Sequence, residues 1–327
     1  FGSSCPSEPS GGRAAGAPQP RPMGAACSNP DVQENKTIIV GCIDYCDQIR
    51  TIWDGIKQYF IKANVDFDFV LFTCYERQVE ALLAGHIDIA WNGPLAHVRT
   101  QKRTNGTSKS LGMRDVDCGF VTHIIVRKKA GIQSLADLQG KRLAAGTRDS
   151  PQACILPFQF LKSSDVPLNT LEVTFFDRDL GKHGDTALGE VEVMNALSKG
   201  ECDVGFVSDL MWQRALSAAD VNGGTGEQLE VLGAAKVPVF NHCQFDALAT
   251  LDKKKLDDFN TTLFNMDMKK EEDRRVMQLE GIKEKWEKPQ EVGYATMRKA
   301  LELEPNEPFP PPLYSPESHP FKSCTIK

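Results

Sequence analysis

Nothing in this 327-residue sequence approaches the roughly 20 consecutive apolar residues of a membrane-spanning helix; its apolar runs, such as Ile38 to Val40, are strand-sized. A basic stripe interleaved with aromatics is also missing and the formal net charge is -6, so the electrostatic footprint of a nucleic-acid binder is absent. No G-x-S-x-G elbow, P-loop, G-x-G-x-x-G fingerprint or H-E-x-x-H helix occurs, which removes the commonest enzymatic signatures. The ten cysteines lack both the paired short spacings of a zinc ribbon and the density of a disulfide scaffold. Cys42 and Cys46, a C-x3-C, suit a metal clip or a bridge only weakly, and unpaired thiols are the simpler expectation.

What is present is the balance of a globular chain, 41% hydrophobic and 25% charged, able to bury a sizeable core. Single cores stop growing near roughly 250 to 300 residues, so two lobes are expected. Residues 1 to 35 are rich in Gly, Pro, Ser and Ala and cannot bury enough surface to offset ordering entropy; they read as a disordered tail. Within them Met23 to Ser28 fits the M-G-x-x-x-[ST] myristoylation pattern, which would make Gly24 and Cys27 a lipid anchor; chance in a Gly/Ala-rich stretch is the plainer reading. Residues 303 to 327 are Pro-rich and end in Cys324-Thr325-Ile326-Lys327, a poor prenylation signal, and read as a second loose tail.

Between the tails, strand and helix signals alternate. Thr37 to Gly41 reads as a strand, followed by a helix with Ile49, Ile52, Trp53, Ile56 and Phe60 at three and four spacing. Phe67 to Thr73, Glu76 to Ala84 and Ile87 to Trp91 continue the series, with Gly85 closing the helix. Strands are expected at His123 to Arg127, Arg142 to Ala145, Leu171 to Phe176, Cys202 to Val207, Leu229 to Leu232 and Val237 to Phe240, a helix at Gly189 to Ser198, and a long helical region at Lys253 to Ala300. Repeated strand and helix units imply parallel sheets.

One pattern occurs twice: a helix ending in Gly, an acidic residue, then a short strand that opens into a polar loop. It runs from Val79 to Ala96 through Gly85, Asp88 and Asn92-Gly93-Pro94, and from Val193 to Asp209 through Gly200 and Asp203. Ligands of open α/β sheets sit at such carboxyl strand ends. With Ser134-Leu135-Ala136-Asp137-Leu138-Gln139-Gly140-Lys141-Arg142, which matches a "DL-x-G-K" entry into a second lobe, the chain over about residues 36 to 300 resembles the phosphonate-binding branch of transporter solute-binding proteins. The resemblance implies an α/β, two-lobed periplasmic-binding-protein type II fold, each lobe a βα sheet, with the ligand cleft between lobes. Lobe 1 would comprise 36–122 plus 240–302, and lobe 2 residues 123–239.

The resemblance further implies a ligand loop at Gly146 to Ala153, where Ser150 would cap or donate, Pro151 suits a first helical position, and free N–H groups suit an anion. Gln152 and Ala153 stand where the family more often shows Ser/Thr and Gly. His183 and Asp185 occupy the place of a ligand-facing histidine, and Tyr45, Tyr75, Asn92, Gly93, Thr122, His123, Asp209 and His242 complete the ligand-binding set. Each has a plainer role: the tyrosines at a lobe edge, Asn92 as a cap, His123 satisfied by backbone. Read as chemistry, His183, Asp185, Glu190, His242 and Cys243 are also an N/O/S set for zinc or another divalent metal. The plain alternative puts His183 on an oxyanion, Glu190 on a solvated helix face and Cys243 in the core. Cys74 or Cys154 beside His183 would be the minimal acyl-transfer pair of a biosynthetic enzyme on this fold.

The expected function is capture of a small oxyanion (phosphonate, phosphite or phosphate) by lobe closure, without catalysis and without a cofactor, by a monomer that hands its ligand to a membrane permease. A divalent-metal binder and an enzyme are the alternatives. The resemblance implies a cell-surface or periplasm-like compartment, or a membrane-anchored cytoplasmic one if Gly24 is acylated; residues 1 to 35 show no apolar signal segment.

Overall fold

The computed structural model describes residues 36–222 and 228–301. The expected tails, and with them Gly24, Cys27 and Cys324, lie outside the described residues. Among the described residues six strands form one sheet: β1 (Ile38–Ile43), β2 (Phe67–Phe72), β3 (Ile89–Asn92), β4 (Lys109–Arg114), β10 (Gln244–Ala247) and β11 (Trp286–Glu287), in the order β11-β4-β10-β3-β1-β2. β1 runs parallel to both β2 and β3, while β10 enters antiparallel between β3 and β4. The central β1 is Ile-Ile-Val-Gly-Cys-Ile, a nearly continuous apolar run, as a strand covered on both faces must be. Helix α1 (Ile49–Lys62) covers one face with the stripe Ile49, Ile52, Trp53, Ile56 and Phe60.

A second sheet holds β5 (Thr122–Arg127), β6 (Arg142–Ala145), β7 (Glu172–Phe175), β8 (Val204–Ser208) and β9 (Leu229–Val231) in the order β7-β6-β8-β5-β9. Its helices are α4 (Leu156–Ser163), α5 (Leu188–Ser198) and α6 (Asp209–Asn222). Phe158, Phe206, Leu143 and Val204 fill one face of it, and Val193, Leu197 and Val207 the other. The first sheet carries α2 (Tyr75–Leu83), α3 (Pro94–Arg103), α7 (Lys253–Phe264), α8 (Glu271–Leu279) and α9 (Tyr294–Leu301) in addition to α1. The result is two α/β lobes, one per sheet.

The chain crosses between lobes twice, from β4 to β5 and back from β9 to β10. The crossings lie side by side: Phe120 N–H donates to Phe240 O at 2.6 Å and Phe240 N–H to Phe120 O at 3.1 Å, and His242 N–H donates to Asp117 O at 2.8 Å. Val237 to Phe240, expected as a strand, pairs only through this single Phe240 bridge, because its run serves the crossing rather than a sheet. The expected helical stretch Lys253 to Ala300 is three helices interrupted by β11; Gly281 (φ 78°) and Gly293 (φ 81°) supply left-handed turns that a continuous helix could not contain. Ser134 opens the short turn Leu135–Leu138, its N–H and hydroxyl both donating to Asp137 Oδ2, at 2.8 and 2.9 Å. Among the described residues Cys42, Cys46, Cys74, Cys118, Cys154, Cys202 and Cys243 are free thiols, and no helix is long and apolar enough to cross a membrane.

Phe245 is the centre of the first lobe's aromatic core, with ring centroids of Trp91, Phe259 and Trp286 at 4.4, 5.0 and 5.6 Å. Phe245→Ala removes that shared partner and is expected to cost about 3–5 kcal/mol in chemical denaturation followed by circular dichroism; a loss below about 1 kcal/mol would show that the core closes without it.

Candidate ligand site between the lobes

Tyr75 and Glu76 open α2, and their backbone faces the second lobe: Tyr75 N–H donates to Gly181 O at 2.8 Å. The opposing loop between β7 and α5 is forced into an unusual path, with left-handed φ at Asp179 (51°), Gly181 (91°), His183 (51°), Gly184 (84°) and Ala187 (56°). For non-glycine residues such backbone costs about 1–3 kcal/mol each and persists only where surroundings over-determine it. What it achieves is placement. The His183 imidazole stacks on the Tyr75 ring at 4.5 Å and 16°, its Nε2 sits 3.0 Å from Glu76 Oε1, and the Tyr75 hydroxyl donates to Asp185 Oδ2 at 2.5 Å. Arg99 of α3 pairs with the same Glu76.

The turn after β6 lies against this loop. Ser150 Oγ accepts from Ala153 N–H at 3.1 Å, and Pro151 takes the first helical position ahead of α4. Asp149 Oδ2 accepts from Gly181 N–H at 2.5 Å, and Gln152 Nε2 reaches Gly184 O at 3.4 Å and Glu190 Oε1 at 3.3 Å. A Cβ at Gly184 would lie 2.7 Å from Ser150 Cβ, and one at Gly93 would lie 3.1 Å from the Tyr75 hydroxyl. The turns at Gly93, Ser150 and His183 are therefore neighbours, linked through Tyr75 and Gly184.

Several buried polar atoms here have no hydrogen-bond partner: Glu76 Oε2, Asp149 Oδ1, Gln152 Oε1, His183 Nδ1, Asp185 Oδ1 and His242 Nε2. Buried polar groups are nearly always paired, so each of these atoms has room for a further hydrogen bond where the lobes meet. Burial pushes the Asp185 carboxyl up despite the pull of His242, the Tyr75 hydrogen bond, His183 and Arg114. Burial likewise raises Asp149 against the pull of His183. Glu76 goes the other way: burial would raise it, but His183 and Arg99 hold it down at about 2. Burial thus moves two of these carboxyls up, while neighbouring His183 and Arg99 move the third down.

Other residues singled out in the sequence fall in varied places. Tyr45 is half-buried, its phenol pushed up by burial and by Glu280. Thr122 is buried and donates to Gln152 O at 3.1 Å, fixing the Ser150 turn from behind, and Ala153 packs under Gly146. His123 and Asp209 satisfy each other at 2.8 Å, both partly exposed. Asn92 does not cap α3, a position Gly93 holds: its amide donates to Asp246 Oδ2 at 2.9 Å and its carbonyl accepts from Gln78 at 2.9 Å inside lobe 1.

The five-residue metal set is not assembled. Glu190, expected on a solvated face or as a metal ligand, is buried and accepts from Ser208 N–H at 2.5 Å and Ser208 Oγ at 2.7 Å, because α5 packs that side of the helix onto β8. His183 is held by Glu76 instead, whereas His242 and Cys243 lie with Asp117. Cys154 is buried beside Phe158 and burial pushes its thiol well up, the opposite of what a nucleophile needs.

Sequence reasoning missed Glu76, Arg99, Asp149 and Asp117. Only Glu76 and Asp149 had a signal, being adjacent to Tyr75 and Ser150; Arg99 and Asp117 reach the site through tertiary packing alone. It also missed the buried cluster behind Tyr45, where Arg114 Nε donates to Asp117 Oδ2 at 2.6 Å and Arg114 Nη1 to the Glu280 backbone carbonyl at 2.8 Å.

The sequence profile of the family described as the periplasmic substrate-binding protein of a phosphonate ABC transporter matches residues 47–291. Among solved structures the fold is similar to that of PhnD1 from Prochlorococcus marinus in complex with methylphosphonate, with a TM-score of 0.62, 18% identity, and 81% of this chain and 97% of that one covered. A Xanthomonas citri protein bound to ATP gives a TM-score of 0.63 at 14% identity over 81% and 98% of the two chains. A binding component of a Pseudomonas aeruginosa phosphonate ABC transporter gives 0.56 at 16% over 82% and 86%. At these identities the structural likeness speaks to fold, and the profile to family.

Burial pushes the Glu280 carboxyl up to about 7 against the pull of Arg114, from an ordinary value of 4.5. A carboxyl raised on folding contributes stability that is complete below about 4.5 and is lost as the pH climbs through about 7. Glu280→Gln lacks that ionisation, so relative to the parent it gains on the order of 3 kcal/mol between pH 5 and pH 8 in denaturant titrations; a constant difference across that range contradicts the assignment.

Proposed function

This chain belongs to the family of periplasmic substrate-binding proteins of phosphonate ABC transporters, and we propose that it takes its oxyanion at the junction of Tyr75, Gly93, Ser150, His183 and Asp185. The observation that carries this choice of residues is the gathering there of buried, unpartnered polar atoms from both lobes. Donors come from His183 Nδ1 and the Ser150 hydroxyl, the Tyr75 ring backs His183, and the Arg99 guanidinium already stands beside Glu76. Lobe closure about the paired crossings at Phe120 and Phe240 excludes water and so strengthens each bond.

The carboxyls select within the oxyanions. Asp185 and Asp149 present oxygens that a fully ionised ligand would repel, whereas a ligand keeping one acidic proton can donate to them. Phosphate and alkylphosphonates keep such a proton near neutrality; sulfate keeps none. A site built to receive a hydrogen bond rejects the analogue that cannot make it far more strongly than a site selecting on shape.

On this reading the chain is a carrier, in keeping with its family of substrate-binding proteins. Its partner on this reading is a membrane permease that recognises the closed pair of lobes, and its compartment is periplasm-like, as in the bacterial family.

Isothermal titration tests the site. Methylphosphonate and phosphate are expected to bind at one per chain and sulfate at least about 100-fold more weakly. His183→Ala and Ser150→Ala should each weaken methylphosphonate by about tenfold or more. Equal binding of sulfate, or unchanged affinity in both variants, contradicts the assignment.

A further inference from the structure

Asp117, His242 and Cys243 bring a carboxylate oxygen, an imidazole nitrogen and a sulfur within 4.8 Å of one another, all three residues buried. They belong to the two crossings between the lobes: Asp117 follows β4, and His242 and Cys243 precede β10. His242 Nδ1 lies 3.0 Å from Cys243 Sγ and 3.6 Å from Asp117 Oδ1, the separations of atoms sharing one small cation at metal–ligand distances of about 2.0–2.3 Å. The far nitrogen, His242 Nε2, is buried without a hydrogen-bond partner and faces Asp185 Oδ1 of the second lobe at 3.9 Å. A metal-bound histidine ordinarily offers its other N–H to a carboxylate, which is what Asp185 is placed to receive.

We propose that Asp117, His242 and Cys243 bind a divalent cation of zinc-like softness, which staples the two crossings together beside the oxyanion site. One thiolate and one carboxylate neutralise its charge, and a nitrogen, an oxygen and a sulfur match the preference of zinc over calcium or magnesium. On binding, the metal–sulfur bond replaces the S–H bond of Cys243 and the proton leaves to solvent. Arg114 already donates to both Asp117 oxygens, at 2.6 and 3.0 Å, and stays there, since each carboxylate oxygen has a second lone pair for the metal. Three protein ligands leave a fourth coordination position. Because His242 leans on Asp185, and Asp185 accepts from Tyr75, the cation adjoins the proposed oxyanion contacts without using the same ligand atoms.

The test uses the full chain purified without chelator, titrated with zinc against a competing metallochromic dye and with cobalt under absorption spectroscopy. One zinc per chain and a thiolate-to-cobalt charge-transfer band are expected. Cys243→Ser should remove that band and weaken zinc by about 100-fold or more, and Asp117→Asn should weaken it by tenfold or more; Cys46→Ser, at an exposed thiol, should change neither. Circular dichroism of each variant guards against misfolding, and Asp117→Asn with the cobalt spectrum of the parent decides the matter if Cys243→Ser does not fold. Absence of stoichiometric zinc in the parent, or undiminished zinc in the Cys243 and Asp117 variants, overturns the proposal. Methylphosphonate titrated in parallel separates the two sites: a parent that takes methylphosphonate but no zinc loses only this inference, and one that takes zinc but no methylphosphonate loses only the oxyanion assignment.

Discussion

The contact of Tyr75 with the left-handed loop from Asp179 to Ala187 is the constraint on which the rest of the site depends. A histidine at φ 51° is costly, and the stacking of its ring on Tyr75, the Glu76 contact and the Tyr75 to Asp185 hydrogen bond hold it there. Tyr75 is wholly buried between the lobes, so the loop is shaped by an element of the other lobe rather than by its own sequence neighbours. Removing that contact frees His183, Asp185 and the Gly184 packing on Ser150 together.

Each lobe has its own hydrophobic core, so the polar groups between them are not needed to hold either sheet together. That division lets the interface carry groups that a core would not tolerate: carboxyls raised by burial, an imidazole with one open nitrogen, a thiol beside a histidine. The crossings at Asp117 to Phe120 and Phe240 to Cys243 are hydrogen-bonded to each other, so they form a paired strap rather than two independent linkers.

Much of the fold was legible in the sequence because it follows from periodicity. The alternating strands, the Trp53 stripe of α1 and the two Gly-acidic-strand segments all declare themselves within ten or so residues. Val237 to Phe240 misled because an apolar run reads alike whether it joins a sheet or lines a crossing. The site was legible only in part. Tyr75, Ser150, His183 and Asp185 follow strand ends and could be proposed from topology; Glu76, Arg99 and Asp117 act across lobes or crossings, and no local pattern encodes those distances. For Asn92, a strand-end asparagine suits a cap or a ligand contact, and only the positions of Gln78 and Asp246 show the buried network it makes.

A crystal structure of the chain grown with methylphosphonate tests the central claim most directly. The account expects the phosphonate oxygens within hydrogen-bonding distance of Ser150, His183 and Asp185, with Tyr75 over the ligand and the two crossings still paired. Methylphosphonate bound elsewhere on the chain, with Tyr75, His183 and Asp185 in the same mutual contacts and nothing between the lobes, would contradict it.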